Sequence, residues 1–165
     1  MSRARTLRVV AFGVGIGAAA LFSVPSPRLV WNASASAPIG FYWRHGGGIT
    51  RGDLVLATMP EPVRALAAAR GYLPSGVPLL KRVAALSGDR ICADDATVFV
   101  NGQAVAARRK TDSRGRPMPA WTGCRTLAGE VFLLMPGVPD SFDGRYFGPV
   151  PQAAVIGPLT PLWTR

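Results

Sequence analysis

The most strand-like part of the sequence is VPLLKRVAAL, residues 77–86. Successive side chains of an extended strand point to opposite faces, so Leu79, Lys81 and Val83 share one face and Arg82 lies on the other. If the first face packs on the core, the Lys81 amine is poorly solvated, and poor solvation lowers the pKa of an amine. An edge-strand lysine that extends its amine into water has the same spacing, so spacing alone leaves both interpretations open.

Short apolar runs separated by turns continue on both sides of this stretch. Further strands are predicted at residues 54–57, 131–135 and 154–157. Residues 97–105 are typical of a hairpin with an Asn-Gly turn. Residues 61–70 predict one short helix, with Pro62 in its first turn and Gly71 just beyond its end. The sequence therefore predicts a mostly β fold with one core, in a single domain that covers residues 29–165.

The composition indicates one folded domain, and the charge limits which kinds of partner it can bind. The chain has 165 residues, of which 48% are apolar and 17% charged, and a formal net charge of +10. This is enough apolar material for one folded domain. The basic surplus suits nucleic acid, anionic lipid or a solvated surface. Because no helix-turn-helix, zinc-finger or RNA-binding pattern is present, we expect no nucleic-acid partner. The densest basic cluster, residues 108–116, predicts an exposed loop.

The N-terminal segment predicts contact with a lipid bilayer. Arg3, Arg5 and Arg8 precede an uncharged run at residues 9–24, the layout of both a signal peptide and an uncleaved anchor. Positive residues before the run predict that this end stays in the cytoplasm. We therefore expect residues 1–28 to anchor the chain in the inner membrane, with the folded domain at residues 29–165 in the periplasm. Residues 33–35 have the small-x-small form of a cleavage site, so the alternative is a periplasmic protein after signal cleavage.

The cysteines and the histidine limit the possible chemistry. Cys92 and Cys124 flank a predicted insertion, a hairpin and basic loop at residues 91–125, and two cysteines in an exported domain are expected to form a disulfide. The single histidine, His45, lies in a glycine-rich loop, which argues against a Ser-His-Asp triad and against a metal site. We expect no metal and no cofactor. A serine nucleophile would then need another base, and Lys81 is the candidate.

Three short motifs carry a family resemblance. They read SASAP at residues 34–38, LKRVAALSGD at 80–89 and DSFDGR at 140–145. In this order, behind an apolar N-terminus, they resemble the Ser-x-Ser-Met-Pro, Lys-Arg-Val…Gly-Asp and Asn-Ser-x-Asp-Ser-Arg boxes of type I signal peptidases. Ala37 stands where the family has Met, and Gly144 where it has Ser. The compact domain and residues 142–149 are most similar to the TraF-type conjugative-transfer peptidases.

The resemblance implies a signal-peptidase-like β-barrel or complex β fold and a role for each matching residue. It implies Ser36 as nucleophile, Lys81 as general base, and the Ser34 hydroxyl with the Ser36 backbone N–H as the oxyanion hole. The implied supporting residues are Ser141, which orients the lysine, and Asp143 and Arg145, which hold the network in place. The implied activity is that of a membrane-bound serine endopeptidase. Its partner would be an exported precursor, a conjugative pilin in a secretion or mating system, released as a linear or a cyclic product.

Two other functions fit parts of the sequence. A self-cleaving repressor also uses serine and lysine, but the apolar N-terminus and the lack of a DNA-reading domain argue against it. A non-catalytic exported β-domain that binds a secretion-machine partner is the alternative from another class. Labelling by a serine-acylating inhibitor separates the two classes, because a binding module should not react.

Overall fold

The computed structural model describes residues 28–165. The predicted anchor, residues 1–28, therefore lies outside the described residues except for its last position. Within residues 28–165 no helix is long and apolar enough to cross a membrane.

The described chain consists of short strands with little helix, which confirms the predicted mostly β fold class. The strands are β1 (Leu29–Asn32), β2 (Gly40–Arg44), β3 (Leu54–Ala57), β4 (Leu79–Ala85), β5 (Arg90–Ala93), β6 (Thr97–Val100), β7 (Gln103–Ala107), β8 (Gly123–Thr126), β9 (Glu130–Leu134), β10 (Val150–Pro151) and β11 (Val155–Thr164). The helices are α1 (Glu61–Ala69), which was predicted, and the one-turn α2 (Gly144–Phe147), which was not; a 3-10 turn covers Gln152–Ala154.

The larger sheet is antiparallel, and the strand predicted within residues 77–86 is β4, one of its inner strands. Its seven strands lie in the order β1-β2-β11-β3-β4-β9-β10. One face of β4 packs Leu79 and Val83 into a cluster that includes Ala67 of helix α1. The other face packs Leu80 against a second cluster that includes Tyr42. Lys81 lies on the same face as Leu79 and Val83. Because both faces of β4 are covered, its amine has little contact with bulk water.

The last strand is longer than expected, since the predicted run at 154–157 extends to Thr164. Strand β11 bridges β2 and β3, and this double pairing accounts for its ten residues. The approach to β2 is close at Gly40, where an added Cβ would lie 2.0 Å from the Trp163 carbonyl oxygen. Glycine at this position therefore lets β11 lie directly beside the strand that follows the SASAP motif.

The second sheet has four strands in the order β7-β6-β5-β8 and contains most of the predicted insertion. Its hairpin turns at Asn101 and Gly102, whose φ angles are 50° and 81°, as the Asn-Gly pair predicts. The inner face of this sheet packs on Phe132 and Leu134 of β9, so the two sheets share one apolar cluster. Cys92 and Cys124 are cross-strand neighbours in β5 and β8 and are joined by a disulfide.

Candidate active site

The loop between β1 and β2 and the middle of β4 bring a serine hydroxyl to a lysine amine. Lys81 Nζ is hydrogen-bonded to Ser36 Oγ at 2.9 Å, although the two residues are 45 positions apart. Lys81 is only 4% exposed, whereas Ser36 is half-buried at the rim of the loop. The structure thus places the predicted nucleophile and base in direct contact. Of the two interpretations that the spacing left open, the lysine is therefore the buried, core-facing one.

Burial lowers the pKa of Lys81 from 10.5 to about 8. Desolvation is the main cause, because the surrounding apolar side chains disfavour the charged ammonium. The nearby carboxylate of Asp143 raises this pKa and the guanidinium of Arg145 lowers it, so the two charges act in opposite directions. A pKa near 8 leaves about a tenth of the amine neutral at pH 7 and able to accept a proton.

Ser34 lies beside Ser36 on the open side of the loop. Its Oγ is 3.0 Å from Ser36 Oγ and accepts a hydrogen bond of 3.3 Å from the Ser36 backbone N–H. The two donors that the motif predicts for an oxyanion hole therefore adjoin each other. Ser34 is exposed, so a carbonyl oxygen arriving from solvent can replace this mutual contact.

Asp143 and Arg145 form a buried ion pair next to the lysine. Arg145 Nε donates to Asp143 Oδ1 at 2.8 Å, and Arg145 Nη2 donates to Asp143 Oδ2 at 3.1 Å. Asp143 also accepts from the backbone N–H groups of Met135 and of Arg145, the second of which makes it the N-cap of α2. A buried ion pair is tolerable when its remaining hydrogen-bonding groups are satisfied in this way. The pair holds the α2 turn against the end of β9.

Gly144, the departure from the family motif, has a steric cause in this chain. A Cβ at this position would lie 2.7 Å from the Leu133 carbonyl oxygen and 2.8 Å from a ring carbon of Phe132. The turn therefore approaches β9 more closely than any residue with a side chain would allow.

Ser141 is buried next to this turn but does not make the expected hydrogen bond to the lysine. Its side chain is 1% exposed, and its Oγ has no hydrogen-bond partner among the described residues. A buried hydroxyl without a partner is unusual in a folded protein. The structure therefore supports its burial near the site, and its predicted role of orienting the lysine stays a prediction.

Comparison with known proteins assigns the chain to a family. Residues 3–163 match the family described as signal peptidase, peptidase S26. The chain belongs to this family. The plasmid transfer protein TraF of Escherichia coli is 37% identical over 99% of both chains. The conjugal transfer protein TraF of Agrobacterium fabrum is 35% identical over 81% of each.

A solved signal peptidase I, from Enterococcus faecalis, is 25% identical with a TM-score of 0.40, covering 69% of this chain and 98% of its own. Membership of the S26 family makes this chain a serine peptidase of the signal peptidase type. The family resemblance and the enzyme class expected from the sequence are both confirmed.

The basic cluster contributes a residue to this S26 peptidase that the sequence interpretation missed. An exposed loop was predicted, and for Arg108 this prediction is wrong. Its guanidinium donates to the carbonyl oxygens of Arg145 at 2.7 Å, Asp94 at 2.8 Å and Trp121 at 2.5 Å. It also lies over the Trp121 ring, whose Nε1 donates to the Gly144 carbonyl at 2.9 Å. The insertion thus braces α2 from outside the sheet, and no local pattern in the sequence indicates it.

The remaining predicted features lie away from the dyad. His45 is exposed, and its Nε2 is 3.2 Å from Thr160 Oγ1. No cluster of His, Cys, Asp and Glu suited to a metal ion occurs among residues 28–165.

Proposed function

We propose that this S26 peptidase cleaves an exported precursor by acyl transfer, with Ser36 as nucleophile and Lys81 as general base. The observation that carries the proposal is the 2.9 Å hydrogen bond between Lys81 Nζ and Ser36 Oγ. A hydroxyl is a weak nucleophile at neutral pH and needs a base within hydrogen-bonding distance. The lowered pKa of Lys81 supplies that base without a histidine.

The steps follow from the positions of the donors and acceptors. The neutral amine takes the Ser36 proton as Oγ attacks the peptide carbonyl, and the carbonyl oxygen becomes an oxyanion. The Ser34 hydroxyl and the Ser36 N–H then donate to this oxyanion, which is stronger as an acceptor than the ground-state carbonyl. The Lys81 ammonium next protonates the leaving amine as the C–N bond breaks. A water molecule or a second amine attacks the acyl-enzyme and releases Ser36.

The proposed substrate is a pilin-type precursor of a conjugative apparatus, cut beside small residues. The names of the relatives, which refer to plasmid and conjugal transfer, support the setting. If water resolves the acyl-enzyme, the product is linear. If the amino terminus of the substrate does so, the product is a ring.

Co-expression with a candidate pilin precursor tests the reaction and the fate of the product. Mass spectrometry should detect a shortened product with the wild-type chain and with Ser113→Ala, a control serine exposed in the basic loop. A cyclic product would be lighter than the linear one by one water. Ser36→Ala and Lys81→Ala should each leave the precursor intact, and full processing by either variant would contradict the proposal.

We also propose that the chain is anchored in the inner membrane with its catalytic domain in the periplasm. The apolar run at 9–24 behind three arginines supports the anchor, and a disulfide suits the oxidising periplasm.

The strands that follow this apolar run supply a further argument for membrane contact. Leu29, Trp31, Phe41, Trp43 and Trp163 are all exposed, and cross-strand pairing places them on one face of β1, β2 and β11. We call this set the aromatic strip.

An exposed apolar surface that begins immediately after a predicted anchor suits the interface of a bilayer. Tryptophan is enriched at that depth because its ring is apolar and its N–H is polar. The strip holds three of the four tryptophans of the chain, and the fourth, Trp121, lies against Arg108 in the segment between β7 and β8. Bilayer contact would therefore orient the strand pair that carries the serine loop.

Single-tryptophan variants in vesicles with brominated lipid measure this contact directly. Variants that keep only Trp43 or only Trp163 should be strongly quenched, and a variant that keeps only Trp121 should not. Equal quenching of all three, or none in the strip, would contradict the membrane arrangement.

A further inference from the structure

The serine loop, residues 33–39, connects β1 to β2 and carries both predicted catalytic hydroxyls. Its own backbone holds it weakly, since the hydrogen bond from Ala37 N to the Ser34 carbonyl is long at 3.4 Å. Yet Ser36 Oγ must stay within 2.9 Å of the Lys81 amine, and the Ser36 N–H must face the oxyanion. Something other than the loop backbone must therefore fix its shape.

The Asn32 side chain is the group that does so. Its Nδ2 donates to the carbonyl oxygens of Ser34 at 2.9 Å, Ala37 at 3.1 Å and Pro38 at 3.0 Å. Its Oδ1 accepts from the Ser34 backbone N–H at 3.0 Å. One carboxamide thus joins the beginning of the serine loop to its end, on either side of Ser36. Asn32 is only 4% exposed, so water cannot readily take over these contacts.

A second buried group holds the end of the loop from the neighbouring strand. The Tyr42 hydroxyl donates to the Pro38 carbonyl at 2.6 Å, and Tyr42 is 1% exposed. Tyr42 and Asn32 both lie on the inner face of the strand pair β1–β2, opposite the aromatic strip. Of the two, only Asn32 contacts both ends of the loop.

We propose that Asn32 is a positioning residue for acyl transfer, which fixes Ser34 and Ser36 in register with Lys81. The inference rests on the proposed function of the dyad. Asparagine suits the task because it donates and accepts at the same point, whereas aspartate would set a carboxylate against three carbonyl oxygens. A displacement of the order of 1 Å at a reacting group costs about 100-fold in rate. Asn32 touches neither reacting atom, so it acts through the loop.

The chain offers a matched control, because it has one other asparagine. Asn101, in the turn of the β6–β7 hairpin, likewise donates through Nδ2, to Asp89, and accepts through Oδ1, from the Arg90 N–H. Asn32→Asp and Asn101→Asp therefore make the same chemical change at two hydrogen-bonded asparagines, one buried beside the serine loop and one exposed in the β6–β7 turn. Asn32→Ala removes the carboxamide without adding a charge.

The probe is p-nitrophenyl acetate, with the full chain in detergent micelles. Ser36 Oγ forms a bond to the acetyl carbon, the bond to the phenolate oxygen breaks, and the serine proton passes through Lys81 to the leaving group. Mass spectrometry of the Ser36 peptide gives the rate of acetylation, and thermal unfolding reports folding separately. We expect Asn32→Asp and Asn32→Ala to lower the plateau rate about 100-fold, and Asn101→Asp to leave it within about twofold.

The pH profile distinguishes positioning from a change in the base. Asn32→Ala removes no charge, and the charged groups that act on Lys81 are Asp143 and Arg145. The midpoint of the profile should therefore stay where the wild type has it while the plateau falls. An unchanged plateau in a folded Asn32→Ala chain overturns the proposal. So does loss of folding in both Asn32 variants, because Asn32 would then support the fold itself.

The proposed function has its own arm in this experiment. Ser36→Ala should show no adduct and Lys81→Ala should react far more slowly than the wild type. Normal labelling of the Lys81→Ala chain at Ser36 would contradict the role of Lys81 as general base, whatever the Asn32 variants show. If Ser36→Ala and Lys81→Ala both lose acetylation while Asn32→Ala reacts at the wild-type rate, only the positioning role of Asn32 is contradicted.

Discussion

Replacing Lys81 by methionine should make the protein inactive and, at neutral pH, more stable. The side chain of Lys81 is buried, and burial lowers its pKa from 10.5 to about 8. A shift of this size corresponds to about 3 kcal/mol. That free energy is the cost to the folded state of keeping the amine charged. Methionine has a similar length and no charge, so the variant avoids the cost.

The sign of the pH dependence follows from the direction of the shift. Because the folded-state pKa is the lower one, the unfolded chain binds more protons between about pH 8 and pH 10.5, and stability rises with pH across this window. At pH 7 the amine is charged in the unfolded chain and about nine-tenths charged in the folded one, so nearly the full cost is present. The stability advantage of Lys81→Met should therefore shrink by roughly 2 to 3 kcal/mol between pH 7 and pH 10.

Urea unfolding of the full chain in detergent micelles, at pH 7 and at pH 10, measures this change. The matched control is Lys110→Met, which replaces the only other lysine of the sequence, an exposed one. Comparing each variant with the wild type at both pH values cancels the titration of every other group. A free-energy difference for Lys81→Met that varies with pH no more than the difference for Lys110→Met would contradict a folded-state pKa of about 8 for Lys81.

Other substitutions probe single parts of the site. Ser34→Ala should lower kcat about 100- to 1,000-fold, measured by precursor cleavage, through loss of one oxyanion donor; because Ser34 is exposed, an altered melting temperature would point to a structural role instead. Ser141→Ala should leave stability unchanged or higher in urea unfolding, since its Oγ has no partner among the described residues, and should lower activity if the hydroxyl orients the lysine. A less stable Ser141→Ala chain would show that the hydroxyl is bonded. Replacing Cys92 and Cys124 by alanine should lower the free energy of unfolding by about 3–4 kcal/mol. Reductant should destabilise the wild type and not the double variant, and an equal loss of stability in both would contradict this.

Much of the fold was predictable because its signals are local. The alternation in residues 79–83 depends only on strand geometry, and it places Lys81 on the same face as the buried Leu79 and Val83. The Asn-Gly turn and helix α1 likewise depend on neighbouring residues. The position of β11 between β2 and β3 has no such signal, because a strand does not show in its own sequence which strands it will join.

The predictable part of the site is the part that motifs carry. Ser36 and Lys81 were predicted from the family resemblance, and the structure brings them together. Arg108 and Asn32 were not found, because their importance depends on which backbone carbonyls lie around them in three dimensions. Arg108 reaches the Arg145 carbonyl across 37 positions of sequence. An arginine among other arginines, or an asparagine before a turn, has many ordinary explanations.

A neutral Lys81 amine is expected to activate the Ser36 hydroxyl. The most direct measurement is the rate of Ser36 acylation as a function of pH, followed by mass spectrometry of the Ser36 peptide. We predict a rate that rises tenfold per pH unit at low pH and levels off with a midpoint near 8, the pKa of Lys81. A rate that is independent of pH, or that Lys81→Met leaves unchanged, would contradict the account.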